Sequence, residues 1–500
     1  MNLFFSLKPW VQVSFAGTAT GLAFFPLNLG FLAWVSYIPL FHVFLNSSLK
    51  KNLIYGYIFG FTFNITAFYW IGSNSGADKI TVIGSLVAAA GYLSIFYALA
   101  GILFSLLSKN DKTRFGGVLF PFLIVSIEWI RSFGAMGFPW SNIALSQSKY
   151  IYFIQFIDIT GTYGVSFIII SFNVILYNGI KKKIDLRYAL SFILFVFISL
   201  SLTGWSKIKE LSSFDKKIKT AIVQPNIDPN TKWANKNKII AIMDSLHFES
   251  NKFKPDLVIF PETALPSYLV RDNYTRQKLQ ETVDSFNIPL LTGTIHASNY
   301  RGLRYYFNSA MFLKPQSDYE LYSKMHLVPF AEYDLLPAIF HPLTKLNINI
   351  DRGRFKSGEE FVVFNWKNFL FSDLICYESS VPRIARKFVS MGAQFLVIQA
   401  NDGWLGNSYG PYQHFELARL RAIENRVPVV RCANTGISGI IRPDGTVQNI
   451  IDLNQKGIIS ESVNIGFKSS FYTKYGDMYA FSCFIITLVF IFYSCIKRFF

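Results

Sequence analysis

The chain has 500 residues, of which 51% are hydrophobic and 51 are Phe, and its formal net charge is +17. That length exceeds one ordinary domain, and a soluble protein could not hide so much aromatic surface, so the composition points to a membrane class. Nucleic-acid binding, the usual alternative for a basic chain, finds no support, because no basic stripe with interleaved aromatics occurs.

The N-terminus shows no cleavable signal pattern: its apolar stretch has no clear small-residue cleavage site, and more apolar stretches follow. Apolar runs predict membrane spans at roughly 9–25, 29–46, 53–73, 81–107, 115–131, 162–180 and 188–205, with an eighth at about 479–496. Basic residues alternate with these spans. Lys8 precedes the first, Lys50 and Lys51 follow the second, and Lys109, Lys112 and Arg114 follow the fourth. Lys181, Lys182, Lys183 and Arg187 follow the sixth, and Lys497 and Arg498 follow the eighth. Of the 15 basic residues outside 206–478, 12 therefore share one side, against Lys79, Arg131 and Lys149 on the other. Positive loops stay inside, so both termini are expected in the cytoplasm and residues 206–478 outside it, periplasmic in a cell with two membranes. No span carries a cluster of ionisable residues that would mark a transport path; Glu128 is the main candidate.

The loop after the fifth span, Phe133–Asn142, is aromatic and lies on the outer side. Phe138 and Trp140 read either as interfacial anchors or as lipid contacts. From about Lys217 onward the pattern changes to short apolar runs alternating with helical stretches. A strand entering a loop is expected at 220–227, strands at 257–260, 288–295, 394–399, 428–433 and 437–442, two more framing 305–322, and one leading into Cys376. Helices are expected at 234–250, 272–287, 381–391 and 411–426. This alternation argues for a layered α/β domain. The four cysteines, Cys376, Cys432, Cys483 and Cys495, form no CxxC pair, and His326 and His414 sit in no ligand spacing. Neither a metal site nor a disulfide framework is supported.

Three stretches carry chemistry. Phe371-Ser-Asp-Leu-Ile-Cys-Tyr-Glu378 is an alternating run that delivers a cysteine to a polar cluster. Pro255-Asp-Leu-Val-Ile-Phe-Pro-Glu-Thr-Ala-Leu-Pro266 is a strand that ends just before Glu262, and Tyr322-Ser-Lys-Met-His-Leu-Val-Pro-Phe-Ala-Glu-Tyr333 offers Lys324 and Glu332. Taken singly, Cys376 reads as a buried structural cysteine and the charges as solvated surface groups. Together they supply acyl transfer: Glu262 takes the thiol proton, Cys376 attacks, and Lys324 stabilises the oxyanion. Glu332 and Glu378 are second carboxylates able to pair with Lys324 or hold it in place, and the Tyr377 backbone N–H next to the nucleophile can serve an oxyanion hole.

These stretches, with Asn401-Asp-Gly-Trp-Leu-Gly-Asn-Ser-Tyr-Gly-Pro-Tyr-Gln-His414, resemble the Glu-Lys-Cys site of the nitrilase superfamily. With the membrane segments, the chain is similar over essentially its whole length to the membrane-bound branch of that superfamily, the apolipoprotein N-acyltransferases. The resemblance implies a multi-span α-helical protein, about eight spans, carrying an extracytoplasmic α-β-β-α sandwich. The domains expected are a membrane bundle at 1–205, a catalytic domain at 206–478 and a last transmembrane helix and tail at 479–500. It implies no cofactor. The activity implied is transfer of an acyl chain from a membrane phospholipid, through a Cys376 thioester, to the α-amino group of a diacylglyceryl-cysteine on an apolipoprotein, in a bacterial inner membrane. Trp233 matches a substrate-side tryptophan of the family, and a similar GFPW stretch places Phe138 and Trp140 facing the active site. One departure stands near the site, Ala331 where the family usually has Gly. The competing readings are a membrane-anchored amidase acting on small molecules and a non-catalytic transporter or lipid-binding protein.

Overall fold

The computed structural model describes residues 5–108, 115–211, 216–300, 303–329, 331–333, 355–466 and 469–499. Lys109, Lys112 and Arg114 of the basic loop, and the side chain of Arg498, lie outside what is described. Every predicted span region is helical: α1 (Pro9–Leu22), α2 (Leu29–Asn46, in three short pieces), α3 (Leu49–Ala67), α4 (Lys79–Ser108), α5 (Phe115–Arg131), α6 (Tyr163–Ile180), α7 (Leu186–Glu210) and a C-terminal helix Met478–Phe499. Among the described residues, five of these stretches are long and apolar enough to cross a membrane: Leu29–Asn46, Lys79–Ser108, Tyr163–Ile180, Leu186–Glu210 and Met478–Lys497. The 14 residues of α1 rise only about 21 Å, short of a hydrocarbon core of about 30 Å.

The helices share an aromatic core in which Phe41, Phe44, Phe59, Phe63, Phe104 and Phe120 are buried. Helices α3 and α4 approach closely at Gly56, where a Cβ would come within 2.2 Å of the Tyr97 carbonyl oxygen. Helix α7 does the reverse and leaves Tyr188, Phe195 and Leu202 exposed. It also runs five residues past its predicted end, because Lys207 is engaged by Asp158 at 2.7 Å and the polar turn stays wound.

The rest is two six-stranded sheets. With β1 at Lys217–Gln224, β2 at Leu257–Ile259, β3 at Leu290–Tyr300, β4 at Leu303–Leu313, β5 at Glu320–Ser323, β6 at Phe364–Trp366, β7 at Phe369–Ile375, β8 at Phe395–Ala400, β9 at Val429–Ala433, β10 at Ser438–Ile441, β11 at Val447–Ile451 and β12 at Gly457–Asn464, the first is ordered β12-β1-β2-β3-β4-β5 and the second β11-β10-β9-β8-β7-β6. The strands that matter below are β2, β3, β4, β5, β7, β8 and β9. One apolar cluster joins Ile222, Leu291 and Phe312 of the first sheet to Phe371, Ile398 and Val430 of the second. Each such fully buried side chain contributes about 1.5–3 kcal/mol. Helices α8 (Lys236–Asn251) and α9 (Asn273–Phe286) cover the outer face of the first sheet through Met243, Leu246, Leu279 and Val283. Helices α10 (Pro382–Ser390) and α11 (Gly410–Asn425) lie on the second sheet, Phe388 and Ala418 packing into its cluster. The layers are thus α-β-β-α.

Helix α11 is also the joint of the molecule. Its Leu417, Leu420 and Ile423 belong to the aromatic core of the N-terminal helices, as does Tyr377 beside Cys376. The strands that sequence alternation did not announce are β6 (Phe364–Trp366), β11 (Val447–Ile451) and β12 (Gly457–Asn464). β6 and β11 are edge strands and β12 pairs antiparallel with β1, so all three carry polar residues that break the apolar alternation.

Candidate active site

Three strand ends deliver the chemical groups. Glu262 follows β2 after Phe260 and Pro261, Lys324 follows β5 directly, and Cys376 follows β7 directly. The Lys324 ammonium lies 2.9 Å from Glu332 Oε1 and 3.8 Å from Glu262 Oε1. Burial works against its charge, yet Glu332 and Glu262 hold its pKa above the ordinary lysine value. Lys324 is therefore a fixed cation between two carboxylates. Glu332 also accepts the Val328 N–H at 2.7 Å, which closes the loop around it. Ala331 is exposed.

Cys376 has φ of 54°, a left-handed conformation that costs a non-glycine residue about 1–3 kcal/mol. It heads a tight turn, Cys376–Ser380, whose first N–H groups have no partner within the turn. The Tyr377 N–H is one of these, the position an oxyanion donor needs. Burial pushes the Cys376 thiol well up, Glu262 adds to the effect, and Lys324 opposes it. The thiol therefore favours its protonated form.

Glu378, expected as a possible partner of Lys324, is instead a backbone staple. Its Oε2 accepts the Ile375 N–H at 2.8 Å; its Oε1 accepts from Tyr322 Oη at 2.8 Å, the Met325 N–H at 2.7 Å and the His326 N–H at 3.1 Å. One carboxylate thereby ties the Cys376 turn to the chain just past Lys324. Burial pushes its pKa up to about 7, against the Ile375 hydrogen bond.

The Tyr377 ring is sandwiched between His326 at 5.6 Å and Trp140 at 6.2 Å, and its hydroxyl donates to the Gly137 carbonyl at 3.2 Å. Trp140, expected among the lipid contacts, is only 3% exposed and offers no face to lipid. Its indole N–H and that of Trp70 both donate to Gln413 Oε1, at 3.1 and 3.0 Å, so it joins the N-terminal helices to α11. Phe138 is half-buried, 6.3 Å from Tyr377. Trp233 is exposed, stands outside the charged cluster and packs on Tyr268 at 5.5 Å.

Two residues of the cluster went unread in the sequence. The Asn308 amide on β4 donates to Glu262 at 2.7 Å and to Glu332 at 3.1 Å, and so spaces the two carboxylates. The only signal was a polar residue inside an apolar strand. Lys232, next to Trp233, is buried and donates to the carbonyl and hydroxyl oxygens of Thr263. Burial pushes its ammonium down to about 8, with Glu262 opposing. Thr263 has φ of 45°, rare for a β-branched residue, and Gly293 of β3 lies beneath it: a Cβ there would come within 2.3 Å of the Thr263 nitrogen. Among the described residues, no group of three His, Cys, Asp or Glu side chains could hold a metal ion.

The model of the apolipoprotein N-acyltransferase N-terminal domain matches residues 16–175, and that of carbon-nitrogen hydrolases matches 219–467. An apolipoprotein N-acyltransferase of Geobacter metallireducens is 30% identical over 493 residues, covering 95% of this chain and 93% of that one. The chain belongs to the apolipoprotein N-acyltransferase family. A second relative of that name, from Rickettsia typhi, is 33% identical over 412 residues, covering 80% of this chain and 81% of its own. Among solved structures, a mutant of the amidase from Nesterenkonia sp. AN1 is similar at a TM-score of 0.38 and 16% identity, over 50% of this chain and 93% of that one. As a member of the apolipoprotein N-acyltransferase family, the chain is an acyltransferase with a nitrilase-like catalytic fold and a helical N-terminal region.

Proposed function

We propose that the chain acylates apolipoproteins in two half-reactions at Cys376. Glu262 removes the thiol proton as sulfur attacks the ester carbonyl carbon of a phospholipid. Lys324 and the Tyr377 N–H stabilise the oxyanion. The C–O bond breaks, Glu262 returns the proton to the leaving oxygen, and a lysophospholipid departs from a Cys376 thioester. The α-amino group of a diacylglyceryl-cysteine then attacks the thioester carbon. Its proton passes to Glu262, the C–S bond breaks, and the sulfur regains the proton. The product is a lipoprotein with a third, amide-linked chain. Glu332 and Asn308 hold Lys324 and Glu262 in register, Glu378 fixes the turn, and Trp233 and Phe138 stand where substrate enters.

One observation carries this reading: Glu262, Lys324 and Glu332 converge on the strained Cys376, and the membrane helices pack directly on the residue that follows it. Both substrates are lipid-anchored, so a thiol seated against the bundle is reached from the bilayer with water restricted. We place the protein in a bacterial inner membrane with eight spans and both termini in the cytoplasm. The catalytic domain, from the end of α7 at Glu210 to about 478, faces the periplasm. The basic-residue alternation and the helix at each predicted span support this. Purified protein given phospholipid and a diacylated lipopeptide is expected to release a triacylated lipopeptide resistant to hydroxylamine. Release of free fatty acid alone would favour the hydrolase.

A further inference from the structure

A second cluster of buried polar groups meets Cys376 through its backbone. Asp402 follows β8, His414 lies in the first turns of α11, Arg431 is on β9 and Ser379 is in the Cys376 turn. None of the four is more than 2% exposed. Arg431 Nη2 donates to Asp402 Oδ2 at 2.6 Å and lies 3.1 Å from His414 Nδ1; Asp402 Oδ1 is 2.7 Å from the same Nδ1. Burial raises the Asp402 pKa, but Arg431 and then His414 hold it below the usual carboxylate range. An ionised carboxylate only accepts, so His414 Nδ1 carries a proton and donates. The other nitrogen, Nε2, lies 2.9 Å from Ser379 Oγ and 3.0 Å from the Cys376 carbonyl oxygen, which can only accept, so Nε2 carries a proton as well and the ring is doubly protonated against the Asp402 carboxylate; Ser379 Oγ also donates to that carbonyl at 2.8 Å. The Trp140 ring covers the imidazole at 5.1 Å.

A left-handed non-glycine residue persists only where its surroundings over-determine it. The direction of the Cys376 carbonyl is fixed by the same backbone torsion that aims the next peptide N–H. We propose that His414 is a positioning residue for acyl transfer: anchored by Asp402 and Arg431, its Nε2 and the Ser379 hydroxyl hold the Cys376 carbonyl and so the left-handed turn that presents the thiol. This rests on Cys376 being the nucleophile.

The test compares full-length wild type with His414→Ala, His414→Gln and Ser379→Ala in phospholipid–detergent micelles. Thioester formation is followed by intact mass, and turnover with a diacylated lipopeptide. His414→Ala is expected to melt as a folded protein, keep its KM for lipopeptide and lose about 10²-fold in kcat, the cost of a misplaced reacting group. His414→Gln, whose amide can still donate to the carbonyl, is expected to recover about tenfold, the worth of one hydrogen bond. A folded His414→Ala with wild-type kcat overturns the proposal, as does a rise in KM with kcat unchanged, or a Gln variant as slow as Ala. Should His414→Ala fail to fold, Ser379→Ala decides: a fall in kcat sustains the proposal and wild-type kcat overturns it. A wild type that never acquires an acyl group on Cys376 defeats the nucleophile assignment instead.

Discussion

The cluster that meets the Cys376 thiol and the cluster that meets its carbonyl are built differently. Around the thiol, two carboxylates share one ammonium, and Asn308 bridges the carboxylates at 2.7 and 3.1 Å. Charge there is plentiful, and burial favours the protonated thiol. Behind the carbonyl, Asp402 sits between Arg431 and His414 at 2.6 and 2.7 Å, and the contacts end on backbone. The first arrangement is suited to moving a proton and stabilising a transient oxyanion. The second is suited to holding one peptide unit still. On the proposed mechanism catalysis at this turn uses both, because an activated sulfur in a relaxed backbone is aimed nowhere.

The comparison breaks most strongly at the thiol. Glu262→Gln and Lys324→Met are each expected to lower lipopeptide turnover about 10²–10⁴-fold, the range of acid–base and oxyanion groups. Glu262→Gln should melt near wild type, whereas Lys324→Met, which leaves two buried carboxylates without their shared cation, should melt lower; a folded variant that keeps more than a tenth of wild-type turnover would remove that residue from the mechanism. Next comes the staple between the two clusters. Glu378→Gln sets an amide NH₂ against donors that now face carboxylate oxygens, and is expected to cost about 1–3 kcal/mol of stability in chemical unfolding. Unfolding at the wild-type midpoint would show that the four hydrogen bonds of Glu378 are dispensable. The smallest effect is a pH limb. Burial, with Arg383 and Lys324, lowers the His326 pKa from 6.5 to about 4. Between those values the unfolded chain binds more protons than the folded one, so stability falls as pH drops from 6.5 towards 4 and is unaffected above that window. His326→Gln should flatten this acid limb in thermal melts; an unchanged limb would assign it elsewhere.

The thiol cluster was legible because each member sits at the end of a short apolar strand with its signature beside it: Glu262 after VIFP, Lys324 after LYS, Cys376 after FSDLI. The carbonyl cluster was not. His414 closes a motif that stood out in the sequence, yet its partners Ser379, Asp402 and Arg431 come from three other elements and meet only through the sheet. Lys232 and Asn308 escaped for the same reason. Every span predicted from hydropathy is helical, but the role of Trp140 stayed open, since an aromatic in an outer loop looks alike whether it meets lipid or Gln413. The core strands of the catalytic sheets were read from alternation; β11 and β12, rich in polar residues, gave no such pattern.

The most direct measurement is the intact mass of the purified protein after incubation with phospholipid alone, comparing wild type with Cys376→Ala. The expected result is a gain of one acyl chain on wild type only, removed by hydroxylamine and discharged by a diacylated lipopeptide. A folded wild type that gains no acyl chain, or a Cys376→Ala variant that gains one equally, would contradict the account.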